Sequence, residues 1–544
     1  MLVSQPVWAA PPPAAPADPM ASEIQRRLAS AGPDLQIQGE IVDGPGLRDF
    51  YQMRGWRPAW NDIADQLTAV LAAADTDGLP TRPLHVAALA ARASLPVPAV
   101  QADREILLTD GLLRYVAAMR GQRVNPANIE DDWFLPTTPF DSLGFLKENA
   151  KDLPAALKTL APPYAGYQSL RQKLAELKAI AAAGDWPKVP MGAPIKPGAT
   201  DERIVDLRKR LAAIGLTPAP DTDPMVYDEP LQEAVKVFQR RHGLADDAVL
   251  GRQTVAAMNV PAAERARQVA VNMERWRWLP RHLEANHIAV NVPAASLEVV
   301  EDGRAVLSMR VVVGDPDHPT PALHAKMTSL VMNPVWRIPS SIATDEILPK
   351  LKKDPGYLIA NDLELVSDNF VPGSPESQGV GISWKEMSVM PWPVRQRAGS
   401  DNALGRIKFN IPNSDDIYLH DTPNRKAFAR SFRALSHGCV RLEKPEELAL
   451  YVLRDKDWSA EKLIAEIDTG DTHTVSLSKT LPVWLLYWTT WVDADGILQV
   501  RDDLYERDRH LLAALSEQSR ARTPMAHDPQ LKPQVVRCDG CRIP

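Results

Sequence analysis

The sequence predicts a multi-domain α+β protein with three folded parts. A helical amino-terminal region is followed by a small three-helix unit and then a mainly-β domain that carries a long insertion. Three observations predict this. Apolar residues recur at helical spacing as far as about residue 260. From Asn286 they alternate with polar residues, the period of a strand with one buried face. Stretches rich in proline and glycine separate these regimes. A chain of 544 residues is also too long for one hydrophobic core, and 49 prolines leave room for linkers. A hydrophobic fraction of 45% and a charged fraction of 24% are those of a globular protein. A net charge of -7 argues against nucleic acid as a partner. No apolar run reaches the ~18 residues of a membrane span, and the longest candidate, Leu481–Trp488, reads as a core strand.

Residues 1–20 read as a signal remnant or a disordered tail. Val7-Trp8-Ala9-Ala10 offers small residues for cleavage, but a basic start and a full apolar segment are missing. Any membrane association would run through such an N-terminal signal or anchor. Residues 21–190 read as a helical scaffold. Leu108, Leu112, Tyr115, Val116 and Met119 form one stripe, and Leu170, Leu174, Leu177 and Ile180 form another. Such stripes are core, so this region holds no catalytic cluster of its own. Gly184–Gly198 is a linker rich in proline and glycine.

Residues 200–260 carry three short helices. Ile204, Leu207 and Leu211 line the first, which stops at Gly215, and Val235 and Phe238 line the second. Phe238-Gln-Arg-Arg-His-Gly-Leu244, followed by Gly251-Arg-Gln-Thr254, resembles the small three-helix peptidoglycan-binding domain. A helical spacer of the same fold without a ligand is the competing reading.

Residues 286–510 read as the mainly-β domain. Ile288, Val290 and Val292 alternate, as do Leu297 and Val299, and then Val306, Leu307, Met309, Val311 and Val313 follow. Asp302-Gly303 between these runs is a hairpin signal. Ser329–Pro339 reads as a second β stretch, and a third ends at Asp416–Pro423. The insertion at about 343–400 is long enough for a lid over a site, or it is a surface excursion. Residues 511–544 read as a tail. Its Cys538 and Cys541 form a C-x-x-C that suits a small disulfide in an oxidising compartment, half a zinc site, or nothing; the absence of any apolar period favours a tail.

The chemistry gathers in two short stretches. In Ile417-Tyr-Leu-His420, Ile417 and Leu419 face one way and Tyr418 and His420 the other. Pro423 ends the strand, leaving His420 at its tip, where a side chain enters a cleft. In Ala434-Leu-Ser-His-Gly-Cys-Val-Arg-Leu442, Cys439 stands alone. Gly438 permits a tight turn whose N–H groups are able to face a developing oxyanion. Arg441, with Arg425, Arg430 and Arg433, is expected to make the mouth electropositive, to favour the thiolate and to attract a carboxylate. From the residues alone three readings stand. Cys439 is a nucleophile with His420 as its base, a buried structural thiol, or a metal ligand with His420 and His437. The metal reading lacks a further ligand to fill a zinc shell, although Asp421 is available.

Ser436-His-Gly-Cys-Val-Arg441, with His420-Asp-Thr-Pro423 upstream at a spacing of 439 − 420 = 19, resembles the signature of the L,D-transpeptidases. Asn272–Pro280, Val312–Pro321, Met332–Pro339 and Asn402–Asn410 fit the same family, and Phe50–Trp60 fits its large subclass with a helical scaffold and a peptidoglycan-binding domain. The resemblance implies a peptidoglycan L,D-transpeptidase, a cysteine acyltransferase of the periplasm acting in cell-wall biogenesis without metal or cofactor. Cys439 would form a thioester with the donor tetrapeptide stem at meso-diaminopimelate and release D-Ala. An acceptor side-chain amine would resolve it to a 3–3 cross-link. His420 would be general base and acid, and Gly438 with Cys439 would supply the oxyanion hole, His437 beside them. Arg441, Ser436 and Tyr418 would bind substrate. Peptidoglycan stem peptides are the implied partners, with other wall-synthesis enzymes as candidates. Two other readings remain: the same chemistry attaching or detaching an envelope protein, and a wall-binding protein without catalysis.

Overall fold

The computed structural model describes residues 18–33, 35–92, 95–216 and 223–518. The residues read for a signal and the Cys538/Cys541 pair lie outside them, apart from the last residues of the first segment. Among the described residues no helix is long and apolar enough to cross a membrane. The chain forms two compact units. One comprises residues up to Asn125, Pro139–Pro162 and the chain from Leu512; the other comprises Pro126–Thr138 and Pro163–Leu511.

In the first unit, helices Pro19–Leu28, Gly44–Met53 and Ala64–Ala72 pack on a central helix, Pro98–Met119. The predicted stripe on that helix is buried, and so is much of its other side: Asp103, Glu105, Thr109 and Asp110 are all enclosed. Those polar groups tolerate burial because each has a partner. Tyr51 Oη donates to Glu105 Oε1 at 2.9 Å, Trp60 Nε1 donates to Thr109 Oγ1 at 2.8 Å, and the ring of His85 lies 2.7 Å from Asp110 Oδ2.

The second unit holds the helices from Ala165–Ala182 to Ala460–Asp468 and the large sheet. Helix Ala165–Ala182 buries Leu170, Leu174 and Leu177 of the predicted stripe, together with Tyr167, while Ile180 is half-buried. Helices Arg203–Ala212, Glu229–Arg241 and Arg252–Met258 enclose Ile204, Leu207, Leu211, Val235 and Phe238. The middle helix starts where Asp228 Oδ1 accepts from Leu231 N and ends before Gly243, whose φ of 67° terminates it. The proline- and glycine-rich segment before them is no loose linker. Trp186, Val189 and Ile195 are buried, and Trp186 Nε1 donates to Val260 O at 3.0 Å.

Asp302 and Gly303, with φ of 47° and 78°, make the predicted two-residue hairpin loop between strands Ser296–Glu301 and Arg304–Gly314. The sheet runs Ile407–Asn410, Leu419–His420, Val440–Leu442, Arg304–Gly314, Ser296–Glu301, Asn286–Asn291, His473–Leu486, Ala322–Met332, Trp133–Phe134, with Ala434–Ser436 pairing beside Arg304–Gly314. Ile407–Asn410 also pairs with Ala322–Met332, so the sheet closes on itself. Its apolar face encloses Val290, Leu297, Val311, Phe409, Leu419, Val440 and Leu485.

The β stretch at Ser329–Pro339 is two strands in two sheets. Asn333, at φ 47°, and Pro334 break it after Met332. Trp336–Ile338 then joins Val394–Gln396 and Leu363–Leu365 in a separate antiparallel sheet. The insertion is therefore a folded subdomain that starts at Trp336, with its own core of Ile347, Leu351, Leu358, Trp384 and Val394.

Candidate active site

Strands Leu419–His420 and Val440–Leu442 run parallel, with His420 in register with Arg441 and Leu419 with Val440. Val440 N donates to Tyr418 O at 3.1 Å, extending the alignment one residue toward Cys439. Because side chains alternate, Tyr418, His420, Cys439 and Arg441 share one face. The antiparallel neighbour puts Lys408 opposite His420. Leu419, Val440 and Leu442 fill the core behind. The polar face lines a cavity of about 1230 Å³, whose far wall is the insertion: Trp336, Arg337, Ile342 and Glu346. Glu346 lies in a π-helical turn, Ala343–Ile347.

The turn before Cys439 is held from several sides. Gly438 has a φ of +99°, and a Cβ there would meet Ile417 Cδ1 at 3.3 Å. The buried Thr320 hydroxyl donates to Gly438 O at 2.7 Å and accepts from Gly314 N at 2.8 Å. Ser436 Oγ donates to Cys439 O at 2.6 Å. Among the described residues, the backbone N–H groups of Gly438 and Cys439 donate to no acceptor.

Cys439 is a free thiol, and its Sγ lies 3.8 Å from Asp416 O. Burial pushes the thiol above its ordinary value, against the downward pull of Tyr418, Lys408 and Arg441. The expected favouring of the thiolate is thus reversed in the resting site. Burial, reinforced by Arg441, lowers His420 to about 3. Its Nδ1 lies 2.5 Å from the Asp421 carbonyl oxygen, which makes Nδ1 the donor and leaves Nε2 as the basic nitrogen. Among the described residues no hydrogen bond joins Cys439 Sγ to the imidazole. Cys439 and His420 therefore rest as a neutral thiol and a neutral imidazole in one cavity.

The arginines divide. Arg441 lines the cavity, its Nε is buried without a partner, and burial lowers its pKa. Arg425 instead pairs with Asp421 at 3.2 Å and donates to the Leu442 carbonyl. Arg433 donates to the Ala294 and Ala295 carbonyls at 3.1 Å. Neither of these, nor Arg430, lines the cavity; its cations are Arg441, Lys408 and Arg337, set among Glu346, Asp415 and Asp416, so the wall is mixed in charge and not the electropositive mouth expected. Strand connections expose carbonyls that guanidinium groups satisfy, and this draws Arg425 and Arg433 away.

His437 turns from the thiol to the insertion. Its Nε2 lies 2.6 Å from Glu346 Oε1, and its ring packs 4.3 Å from that of His318. It does not join His420 and Cys439 in a ligand set. Among the described residues no group of three or more His, Cys, Asp or Glu side chains is arranged to hold a metal. Lys408, Thr320 and Glu346 escaped the sequence reading. Only Lys408 had a local signal: Ile407 and Phe409 point inward, so Lys408 falls on the opposite face. Its amine sits 3.9 Å from the centre of the Tyr418 ring, and burial lowers its pKa.

Three family models match the chain. Residues 285–475 match the L,D-transpeptidase catalytic domain, 45–174 the scaffold domain, and 200–258 the "Putative peptidoglycan binding domain". A Haemophilus influenzae protein named "Putative L,D-transpeptidase" is 36% identical over 274 residues, which is 49% of this chain and 54% of that protein. The chain thus spans about half the length of the curated relative it matches. Solved structures align more weakly. An L,D-transpeptidase from Stackebrandtia nassauensis is 15% identical with a TM-score of 0.22, covering 55% of this chain and 96% of that one. One from Xylanimonas cellulosilytica is 16% identical with a TM-score of 0.16, covering 55% and 99%. At such scores neither bears on the chemistry.

Proposed function

On a chain that carries an L,D-transpeptidase catalytic domain, together with scaffold and peptidoglycan-binding domains, we propose that Cys439 is an acyl-transfer nucleophile that makes 3–3 peptidoglycan cross-links in the periplasm. The observation that carries this reading is the shared face of Tyr418, His420, Cys439 and Arg441, set by the parallel register of their strands. His420 Nε2 takes the thiol proton as Cys439 Sγ attacks the carbonyl of meso-diaminopimelate in a donor tetrapeptide stem. The unpartnered N–H groups of Gly438 and Cys439 receive the oxyanion. His420 returns the proton to the departing D-Ala nitrogen, leaving a thioester. The side-chain amine of an acceptor stem attacks that thioester, loses its proton to His420, and expels the thiol. Arg441, unpaired at Nε, binds a substrate carboxylate, Tyr418 packs beside the acyl group, and the buried Ser436 supports the turn. The insertion acts as a lid, with the Glu346–His437 pair across the cleft.

The test is a carbapenem adduct followed by mass spectrometry of products. Wild type should gain one adduct on Cys439, Cys439→Ala none. Disaccharide-tetrapeptide should yield dimers lacking one D-Ala. An unmodified, folded wild type would overturn the reading in favour of a wall-binding protein. An adduct without dimers would favour the same chemistry with an envelope-protein acceptor.

A further inference from the structure

A second cavity, of about 350 Å³, lies in the same unit away from Cys439. Helix Ala165–Ala182, the small helical unit and the hairpin of Thr490–Val492 with Leu498–Val500 enclose it. Leu177, Trp186 and Ile497 supply apolar wall, and Arg210, Arg241 and Arg265 supply charge.

These arginines are short of partners. Arg210 is only 2% exposed, its Nε donates to Met258 O at 2.7 Å, and its guanidinium carbon lies 4.1 Å from the centre of a Trp186 ring. Its Nη1 is buried with no hydrogen-bond partner. Arg265 donates to Gln268 Oε1 at 2.8 Å and to Ala257 O at 3.4 Å, both neutral acceptors. Among the described residues none of the three makes a salt bridge. Asp185, Asp502 and Asp493 act on Arg210, Arg265 and Arg241 only from a distance. The carboxylate on the cavity wall, Glu176, is paired with Lys173 at 2.9 Å. Burial lowers Arg210 to about 10, and the nearby Arg265 adds to that; Arg265 is itself lowered to about 10. His242 in the same wall, held by burial at about 3, adds no charge at neutral pH. A buried guanidinium without a hydrogen-bonded counter-charge is unfavourable, so the site is set to accept an anion.

The walls select which anion. A carboxylate matches the forked donors of arginine, and the apolar surface beside them suits a short side chain. The volume is at the lower end of ligand pockets, about 300–1,000 Å³, which suits the end of a chain. We propose that this cavity binds the terminal carboxylate of a peptide, here the free end of an uncross-linked peptidoglycan stem. The identity of the stem rests on the function proposed above. The small helical unit would then read peptide ends through a site it completes with its neighbours, distinct from the catalytic cleft.

Calorimetry on the full chain tests this, first with Cys439 acylated by a carbapenem so that the cleft is blocked. The probes are a tetrapeptide stem with a free C-terminus, the same stem amidated at that end, glycan strands stripped of peptide, and inorganic phosphate. The free stem should bind at one remaining site. Amidation should weaken binding at least tenfold, and so should Arg265→Gln and the half-buried Arg241→Gln. Amidation leaves the protein unaltered, so a folding defect cannot mimic it. Equal affinity for free and amidated stems, or for phosphate or bare glycan, would overturn the proposal, as would no binding to the blocked protein. The carbapenem adduct is read separately, so failure here is distinct from failure of the catalytic reading. Without acylation, the same probes on unblocked protein still decide through Arg265→Gln.

Discussion

Alkylation of Cys439 is predicted to rise with pH through a single limb that lies above that of an ordinary thiol. Burial outweighs Tyr418, Lys408 and Arg441 in setting the thiol upward, and His420 sits at about 3. At pH 7 the imidazolium fraction of His420 is then about 10⁻⁴, so the expected resting state is the uncharged pair. A free thiol at ~8.5 is about 3% thiolate at pH 7, and Cys439 falls below that. Lys408→Met and Arg441→Met each remove a cation that steadies the thiolate. An opposite charge a few ångströms away is worth about 1 kcal/mol or more inside a protein. Either change should therefore slow alkylation at pH 7 about fivefold or more. The assay is iodoacetamide labelling from pH 5.5 to 10, read on the Cys439 peptide by mass spectrometry. A rate plateau between pH 5.5 and 7 would mean a resting thiolate–imidazolium pair and would refute this account. So would faster labelling in either variant.

Three further outcomes follow from the same geometry. Thr320→Val keeps the volume but strands Gly314 N–H and Gly438 C=O, each costing about 1–3 kcal/mol when buried and unpaired; urea unfolding should show about 2–6 kcal/mol lost, with slower carbapenem acylation, and a change below about 0.5 kcal/mol would dismiss the clamp. The side chains of His437 and Glu346 are 36% and 40% exposed, so their pair is worth about 0–1 kcal/mol; Glu346→Gln should change acylation less than about fivefold, and a loss above tenfold would place Glu346 in the chemistry instead. His242 and His420 both stand at about 3, against an unfolded value of about 6.5. Between those values the unfolded chain binds more protons, so stability is complete above pH 6.5 and drains as pH falls toward 3, by up to about 1.4 kcal/mol per pH unit for each histidine. Denaturant midpoints between pH 7 and 4.5 should fall accordingly, and His242→Asn should remove one proton from that slope; an unchanged slope would contradict it.

What the sequence made legible was what depends on neighbours along the chain. Period-two alternation put Tyr418 and His420 on one side, and the same rule applied to Lys408 would have added it. The Asp302-Gly303 loop was readable because its backbone demand falls on two adjacent residues. Charge was misleading for the opposite reason. Arg425 and Arg433 are as cationic as Arg441, but carbonyls from distant segments claim them, and no local pattern announces that. The insertion was visible as an interruption, yet its first strand was hidden, because Trp336–Ile338 continues the apolar spelling of the strand before it. Only the pairing with Val394–Gln396 assigns it to another sheet. In the first unit, the apolar stripe on helix Pro98–Met119 said nothing of Asp103, Glu105 and Asp110 on its other side, whose partners Arg27, Tyr51 and His85 lie 25 or more residues away.

Gly438 shows where the boundary falls. That a glycine beside Cys439 permits a turn is local knowledge, and its φ of +99° agrees. Why the turn leaves N–H groups free is not local. Thr320 takes the Gly438 carbonyl, Ser436 takes the Cys439 carbonyl, and Tyr505 braces the segment by donating to Gly314 O at 2.6 Å. With the Gly438 carbonyl held, the Gly438–Cys439 peptide plane cannot flip without breaking a buried bond, which fixes the Cys439 N–H; the Ser436 bond fixes the next plane, whose Val440 N–H donates to Tyr418 O. The motif holds Cys439; Thr320, more than a hundred positions upstream, and Tyr505, well downstream, set the geometry around it. Gly438→Ala tests the two levels at once. An L side chain at that φ is strained, by about 1–2 kcal/mol, and its Cβ would press on Ile417. Acylation by a carbapenem should fall more than alkylation by iodoacetamide, because only acylation develops an oxyanion. Equal losses in both would locate the damage at the thiol and remove the N–H groups from the mechanism.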